Sequence, residues 1–103
     1  MDMKFHKKLY IGESIENVTR VKWKLKHNAG QLGIFVIVLA QGDDQLEIFH
    51  CAFLQQRYYK EHPPYIVGIA KGYDEALSLL QKMVADSYQK MGHYKLKEYF
   101  FSN

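Results

Sequence analysis

The sequence predicts an α+β fold, with a mixed, mostly antiparallel sheet of three to five strands and two main helices packed on one face. Three observations predict it. A seven-residue apolar run rich in β-branched residues covers 34–40, a helical stripe begins at Ile15, and residues 65–92 have the pattern of a strand, a glycine turn and a capped helix. At this length, residues 1–103 are expected to form a single domain.

The first quarter of the chain contains a predicted strand over 7–11 and a segment with two interpretations. Four apolar residues fall on one helical stripe: Ile15, Val18, Val21 and Leu25. Residues 15–27 are therefore predicted as a helix capped by Ser14. The alternative is a strand, because the apolar residues between 21 and 25 alternate with lysines.

The middle of the chain contains a predicted hairpin. Residues 34–40 form a central strand covered on both faces, and residues 46–53 form its antiparallel partner, with a short polar turn between them. Residues 52–61 have two interpretations. They form either a short helix that ends before Pro63 or an extension of the preceding strand.

The last third of the chain begins with a predicted strand over 65–70. The predicted helix runs from Asp74, its N-cap, to Met91, with Gly92 just beyond its end. An apolar stripe along this helix is predicted to face the core: Tyr73, Leu77, Leu80, Val84, Tyr88 and Met91. Residues 94–101 have the length and composition of a final strand.

If residues 52–61 are extended, the order of elements becomes helix, three strands, helix. That order is similar to the order in double-stranded-RNA-binding domains. Those domains have a lysine cluster at the start of the last helix, where this chain has Lys71 followed by Asp74 and Glu75. The resemblance is one of element order, and no family membership is inferred from it.

The composition is that of a folded, soluble protein. Hydrophobic residues make up 48% of the chain and charged residues 24%, unlike a disordered segment. Cys51 is the one cysteine, so no disulfide can form within the chain, and a reducing, cytoplasmic location is expected. The longest apolar run has seven residues, too few to cross a bilayer as a helix, so no membrane partner is expected.

The net charge of +3 is unevenly distributed. Between Lys4 and His27, seven lysines and arginines stand against two glutamates. Such a segment is typical of polyanion-binding surfaces, although it is also compatible with a solvated basic face. The candidate binding residues are Arg20, Lys22, Trp23, Lys24 and Lys26.

Cations contact phosphates and an exposed tryptophan stacks on bases, as in single-strand binders. The favoured hypothesis is therefore a small non-enzymatic binding or regulatory module that contacts RNA or another polyanion. In the alternative, the tryptophan packs at the edge of the core and the lysines are merely solvated.

Two further hypotheses concern other surfaces. Eight tyrosines and six phenylalanines suit a protein-interaction or homodimeric module. A small-ligand or phosphate site could also lie at the turn after the strand 65–70, with Gly68, Lys71 and Gly72 as its residues. The glycine spacing matches no phosphate-binding motif, and two carboxylates, Asp74 and Glu75, stand where the phosphate would bind.

No catalytic residue, metal ligand or cofactor is predicted. His50 and Cys51 are adjacent, but neighbouring residues on a strand point to opposite faces, so the thiol lacks a base. A buried structural cysteine is the expected role. The other histidines are too scattered along the sequence to indicate a zinc site.

Overall fold

The structure, a computed structural model, describes residues 4–27, 29–39 and 45–101. The strands are β1 (Lys4–Ile11), β2 (Ile34–Leu39), β3 (Leu46–His50) and β4 (Tyr65–Lys71). The helices are α1 (Val18–Lys26), α2 (Arg57–Glu61), α3 (Tyr73–Met91) and α4 (Leu96–Phe101), and a 3-10 helix covers Cys51–Gln55. None of the helices in these ranges combines the length and the apolarity needed to cross a membrane.

The four strands form one mixed sheet in the order β1-β4-β2-β3. β1 runs parallel to β4, whereas β2 pairs antiparallel with both β4 and β3. The α+β class and the mixed sheet are confirmed, although the parallel β1-β4 pair makes the sheet less antiparallel than predicted. The predicted turn between β2 and β3 lies outside the described residues.

The two long helices cover opposite faces of the sheet. Val36 and Val38 of β2 pack with Leu25 of α1, whereas Ile37 and its neighbours pack with Met83 of α3. The prediction that both helices share one face is wrong. Because both faces of the central strands are apolar, each face needs its own cover.

Residues 18–26 are helical, so the helical interpretation of this segment is correct. The helix starts later than predicted, because the side chain of Asn17, and not of Ser14, accepts a hydrogen bond from the N–H of Arg20 at 3.0 Å. Leu25 faces the core, and Trp23 lies on the outward side.

β3 ends at His50, three residues earlier than predicted. The Nδ1 atom of His50 accepts the N–H of Ala52 at 3.1 Å, which starts the 3-10 helix. Helix α2 follows and ends before Pro63. Residues 52–61 therefore contain no strand, and the element order of double-stranded-RNA-binding domains does not apply.

The predicted strand and long helix after residue 65 are confirmed. The predicted N-cap is wrong: the N-cap of α3 is Gly72, with φ of 89°, and Asp74 lies in the first turn of the helix. Gly92 ends the helix in the left-handed conformation that glycine favours, with φ of 73°, and its N–H donates to the carbonyl of Tyr88.

The core-facing side of α3 differs from the predicted stripe. Ala76, Met83 and Ser87 are fully buried, whereas Tyr73 and Tyr88 are about half exposed. The small side chains of Ala76 and Ser87 allow the axis of α3 to lie close to the sheet. A stripe predicted from hydrophobicity alone does not take side-chain size into account.

Residues 96–101 form helix α4, so the predicted final strand is wrong. The Nδ1 atom of His93 accepts the N–H of Lys95 at 3.1 Å, just before the helix. Leu96 and Phe100 lie four residues apart and are both buried against the face of the sheet that α3 covers. Phe101 is exposed.

Gly68 lies inside β4 where α3 crosses the sheet. A Cβ at this position would lie 2.6 Å from Cε of Met83 and 3.0 Å from Cδ1 of Ile37. Both of those side chains are fully buried. The close contact between α3 and the sheet therefore depends on the absence of a side chain here.

The substitution Gly68→Ala should lower the free energy of unfolding by about 1–2 kcal/mol. The added methyl group overpacks the core, and this cost exceeds the stabilisation gained because alanine restricts the unfolded chain more than glycine does. Urea denaturation measures the change in the free energy of unfolding. Gly30→Ala is the matched control, since nothing lies within 4 Å of its added Cβ. Equal midpoints for the two variants would contradict tight packing at Gly68.

Candidate functional site

A pair of stacked rings stands on the outward side of α1. Trp23 is 57% exposed, and the ring of His27 stacks on it with 4.2 Å between centroids. Nδ1 of His27 lies 2.8 Å from the carbonyl oxygen of Trp23, which fixes the histidine at the end of the helix. The indole lies on the surface because Trp23 is on the side of α1 away from the buried Leu25.

Cations flank the two rings on both sides of the helix. On the side of β1, the Nζ atoms of Lys22 and Lys26 lie 5.0 Å and 5.6 Å from the centre of the Phe5 ring. On the other side, Arg20 and Lys24 line a surface groove of about 440 Å³. The structure thus places all five candidate binding residues on one helix, around Trp23.

The positive charge of this surface is little neutralised. The ion pairs Arg57–Glu61 and His93–Glu98 lie outside α1, and within the described ranges no ion pair involves a cation of α1. Helix α1 itself contains no acidic residue. Glu16 lines the same groove as Arg20 and so places one negative charge beside this surface.

Some of these lysines also stabilise the fold. Lys24 and Lys26 lie in the last turn of α1, where a positive charge interacts favourably with the helix dipole. Lys22 and Lys26 make cation–π contacts with Phe5. These contacts account for part of the positive charge, but they do not account for an exposed tryptophan at its centre.

The candidate turn after β4 is arranged differently from the prediction. Gly68 is buried inside the strand, away from the turn, where it makes room for Met83. The N–H of Gly72 donates to the carbonyl of Gly33 at 2.7 Å. Lys71 is exposed, and it lines the same groove as Arg20.

The carboxylate of Glu75 occupies the N-terminal end of α3. It accepts the N–H of Lys71 at 2.8 Å and the N–H of Ser14 at 3.1 Å, and it packs against the backbone of Gly12. Desolvation would raise the pKa of Glu75, but the hydrogen bonds from Lys71 and Ser14 outweigh it and hold the pKa below its usual value. A carboxylate of the protein itself thus accepts two backbone N–H groups beside this helix end and places a negative charge where an anion would bind.

Cys51 is buried at the edge of an apolar cavity of about 330 Å³. Its Sγ donates to the carbonyl of Gln31 at 3.5 Å, and burial raises the pKa of the thiol. Nδ1 of His50 already accepts the N–H of Ala52. This arrangement provides neither a thiolate nor a free base, and in the described part of the chain no three metal-ligating side chains gather.

Exposed aromatic side chains occur on several elements. They are Trp23, Phe53, Tyr58, Tyr73, Tyr88, Tyr94 and Phe101. Tyr88 and Tyr94 stack on each other with 4.9 Å between centroids. A homodimer or a protein interface built from these rings stays a prediction.

Sequence analysis missed a second basic site, which lies between β1 and α3. Lys8, Lys82 and Lys90 line a cleft there together with Tyr10 and Tyr99. The spacing of Lys82 and Lys90 on the polar side of α3 was visible in the sequence. Their proximity to Lys8 was not, because it arises only when β1 and α3 pack together.

The substitution Glu75→Gln should lower the free energy of unfolding at neutral pH by about 1–2 kcal/mol, because one charged acceptor serves two backbone N–H groups. The pKa of Glu75 is lower in the folded protein than in the unfolded chain, where it is about 4.3. The stabilisation by the carboxylate is therefore complete above the unfolded-state pKa and is lost as the pH falls through the folded-state pKa. Thermal unfolding of the parent protein and of Glu75→Gln across this pH range measures the loss.

Asp74→Asn is the control, because Asp74 lies in the same helical turn but is exposed. It should lose only its interaction with the helix dipole, less than about 1 kcal/mol. A pH-independent difference between the parent protein and Glu75→Gln would contradict the assigned role of this carboxylate.

Comparison with known proteins adds no assignment: the chain matches no protein-family model, no curated protein and no solved structure.

Proposed function

We propose that this protein is a non-enzymatic module that binds single-stranded RNA, or a similar polyanion, through the outward face of α1. The observation that carries the proposal is the exposure of Trp23 among four cations of the same helix. Phosphates contact the cations while a base stacks on the indole.

The geometry of α1 supports this mode of binding over simple charge attraction. Lys22 and Lys26 flank the indole on one side, Arg20 and Lys24 on the other, so a strand crossing the helix meets cations before and after the ring. The stacked His27 ring limits the motion of the indole. A preorganised aromatic platform reduces the entropy lost on binding.

The proposed location is the cytoplasm. Cys51 is the one cysteine of the chain, and it is buried as a thiol. Such usage is typical of proteins in reducing compartments. A cytoplasmic location also gives the module access to RNA.

Binding of a single-stranded oligonucleotide should quench the fluorescence of Trp23, the one tryptophan of the chain, and should weaken steeply as salt rises. The logarithm of the binding constant should fall with the logarithm of the salt concentration, with a slope of about −0.7 for each phosphate contact. With four contacts, the affinity should fall on the order of 50-fold between about 50 and 200 mM salt. Fluorescence titration with oligouridylate measures both effects. Binding that is insensitive to salt would refute the proposal.

Variants distinguish the contribution of particular α1 residues to binding from the effect of the net charge of the protein. Lys22→Ala combined with Lys24→Ala should weaken binding at least about tenfold and flatten the salt dependence. The matched control is Lys60→Ala combined with Lys95→Ala, which removes the same charge from exposed positions outside α1. Trp23→Leu, followed by the anisotropy of a labelled oligonucleotide, should cost about tenfold in affinity through lost stacking. Equal losses in both double variants would contradict a site on α1.

A further inference from the structure

A second basic surface lies on the face of the sheet opposite α1. It is a cleft of about 350 Å³ between β1 and α3, near the lower end of the range for small-ligand sites. Three lysines line it, Lys8 from β1 and Lys82 and Lys90 from α3. The cleft belongs to neither the α1 surface nor the turn after β4.

Alternation along β1 brings His6, Lys8 and Tyr10 to this cleft. These residues stand two apart in the strand, so their side chains share one face of the sheet, and all three line the cleft. The pairing of β1 with β4 is irregular over the same stretch, where residues 6–9 stand opposite Val67 alone.

A hydrogen-bond chain fixes the floor of the cleft. The hydroxyl of Tyr10 donates to Oδ2 of Asp86 at 2.7 Å and lies 2.7 Å from the hydroxyl of Tyr99. Because the one proton of Tyr10 goes to the carboxylate, Tyr99 donates to Tyr10. Burial, Tyr99 and Asp86 raise the pKa of Tyr10 far above its usual value, so the floor stays neutral and tied across β1, α3 and α4.

The walls of the cleft retain a surplus of positive charge. Three lysines line the cleft, the one carboxylate tied to its floor is that of Asp86, and in the described residues no ion pair involves any of these lysines. Burial and the nearby Lys7 and Lys8 lower the pKa of His6, so this ring adds no charge at neutral pH. The Nζ atom of Lys90 lies 6.0 Å from the centre of the Tyr99 ring, above the floor.

We propose that this cleft binds a phosphoryl group, with Lys8, Lys82 and Lys90 as its cationic ligands. The surplus of two positive charges matches a phosphate monoester dianion, and lysines bind phosphate as point charges. The phosphoryl group belongs either to a free phosphorylated small molecule or to the 5′ end of an RNA strand. The proposal does not depend on the function assigned to α1.

Amide chemical-shift perturbation of the full chain tests this proposal with two probes at low salt. Inorganic pyrophosphate is the first, and a 5′-phosphorylated oligouridylate beside its unphosphorylated counterpart is the second. The amides around Lys8, Lys82 and Lys90 should shift with at least one phosphorylated probe. Shifts with pyrophosphate identify a free phosphorylated ligand, and shifts with the 5′-phosphorylated strand alone identify an RNA end.

Variants establish that the shifts come from the cleft. Lys82→Gln combined with Lys90→Gln should weaken binding at least about tenfold, since one charge contact in water is worth about fivefold. Lys60→Gln combined with Lys95→Gln removes the same charge elsewhere and should change the affinity less than about twofold. Asp86→Asn should strengthen binding by about fivefold, because it removes the opposing charge and keeps an acceptor for Tyr10.

The gain expected for Asp86→Asn cannot arise from loss of folding, which keeps the test decisive. Absence of shifts in the cleft with every probe would overturn the proposal. Equal losses in the two lysine double variants would overturn it as well. Trp23 fluorescence reports on α1 separately, so failure of one site is distinguishable from failure of the other.

Discussion

Burial of the central strand pair β2-β4 on both faces is the constraint on which the rest of the structure depends. Val36, Ile37, Ile66 and Val67 have no exposed surface. Since neither face of this pair can remain in water, each acquires its own layer of helices. Helix α1 and the residues after β3 cover one face, and α3 and α4 cover the other.

This arrangement leaves β1 at the edge of the sheet, where the two basic surfaces meet. On one side of β1, Lys22 and Lys26 of α1 lie over the ring of Phe5. On the other side, Lys8 shares the cleft with lysines of α3. Lysines on an edge strand also discourage pairing with another sheet, so the same charge has a structural benefit. The unequal distribution of charge along the sequence thus becomes a positively charged edge in three dimensions.

Histidine side chains account for two differences between prediction and structure. Nδ1 of His50 and Nδ1 of His93 each accept the backbone N–H two residues further on, and each starts a helical turn. Residues 46–53 and 94–101 contain β-branched or aromatic side chains that favour strands. A local hydrogen bond and the burial of Leu96 and Phe100 on one helical face outweigh that preference.

The sequence by itself determined the elements whose signals are local. Continuous apolar runs identified β2 and β4, and glycines in left-handed or turn conformations bounded α3. The sequence favoured a helix that brings the five candidate residues of α1 together, but a strand over the same segment remained open until the structure showed the helix. Only the tertiary structure decided which face of α3 is buried. Ala76 and Ser87 let α3 pack closely on the sheet at Gly68, and the hydrophobicity of the side chains does not predict this close packing. The tertiary structure likewise created the cleft of Lys8, Lys82 and Lys90, since residues distant in sequence become neighbours only when β1 and α3 pack against the same sheet.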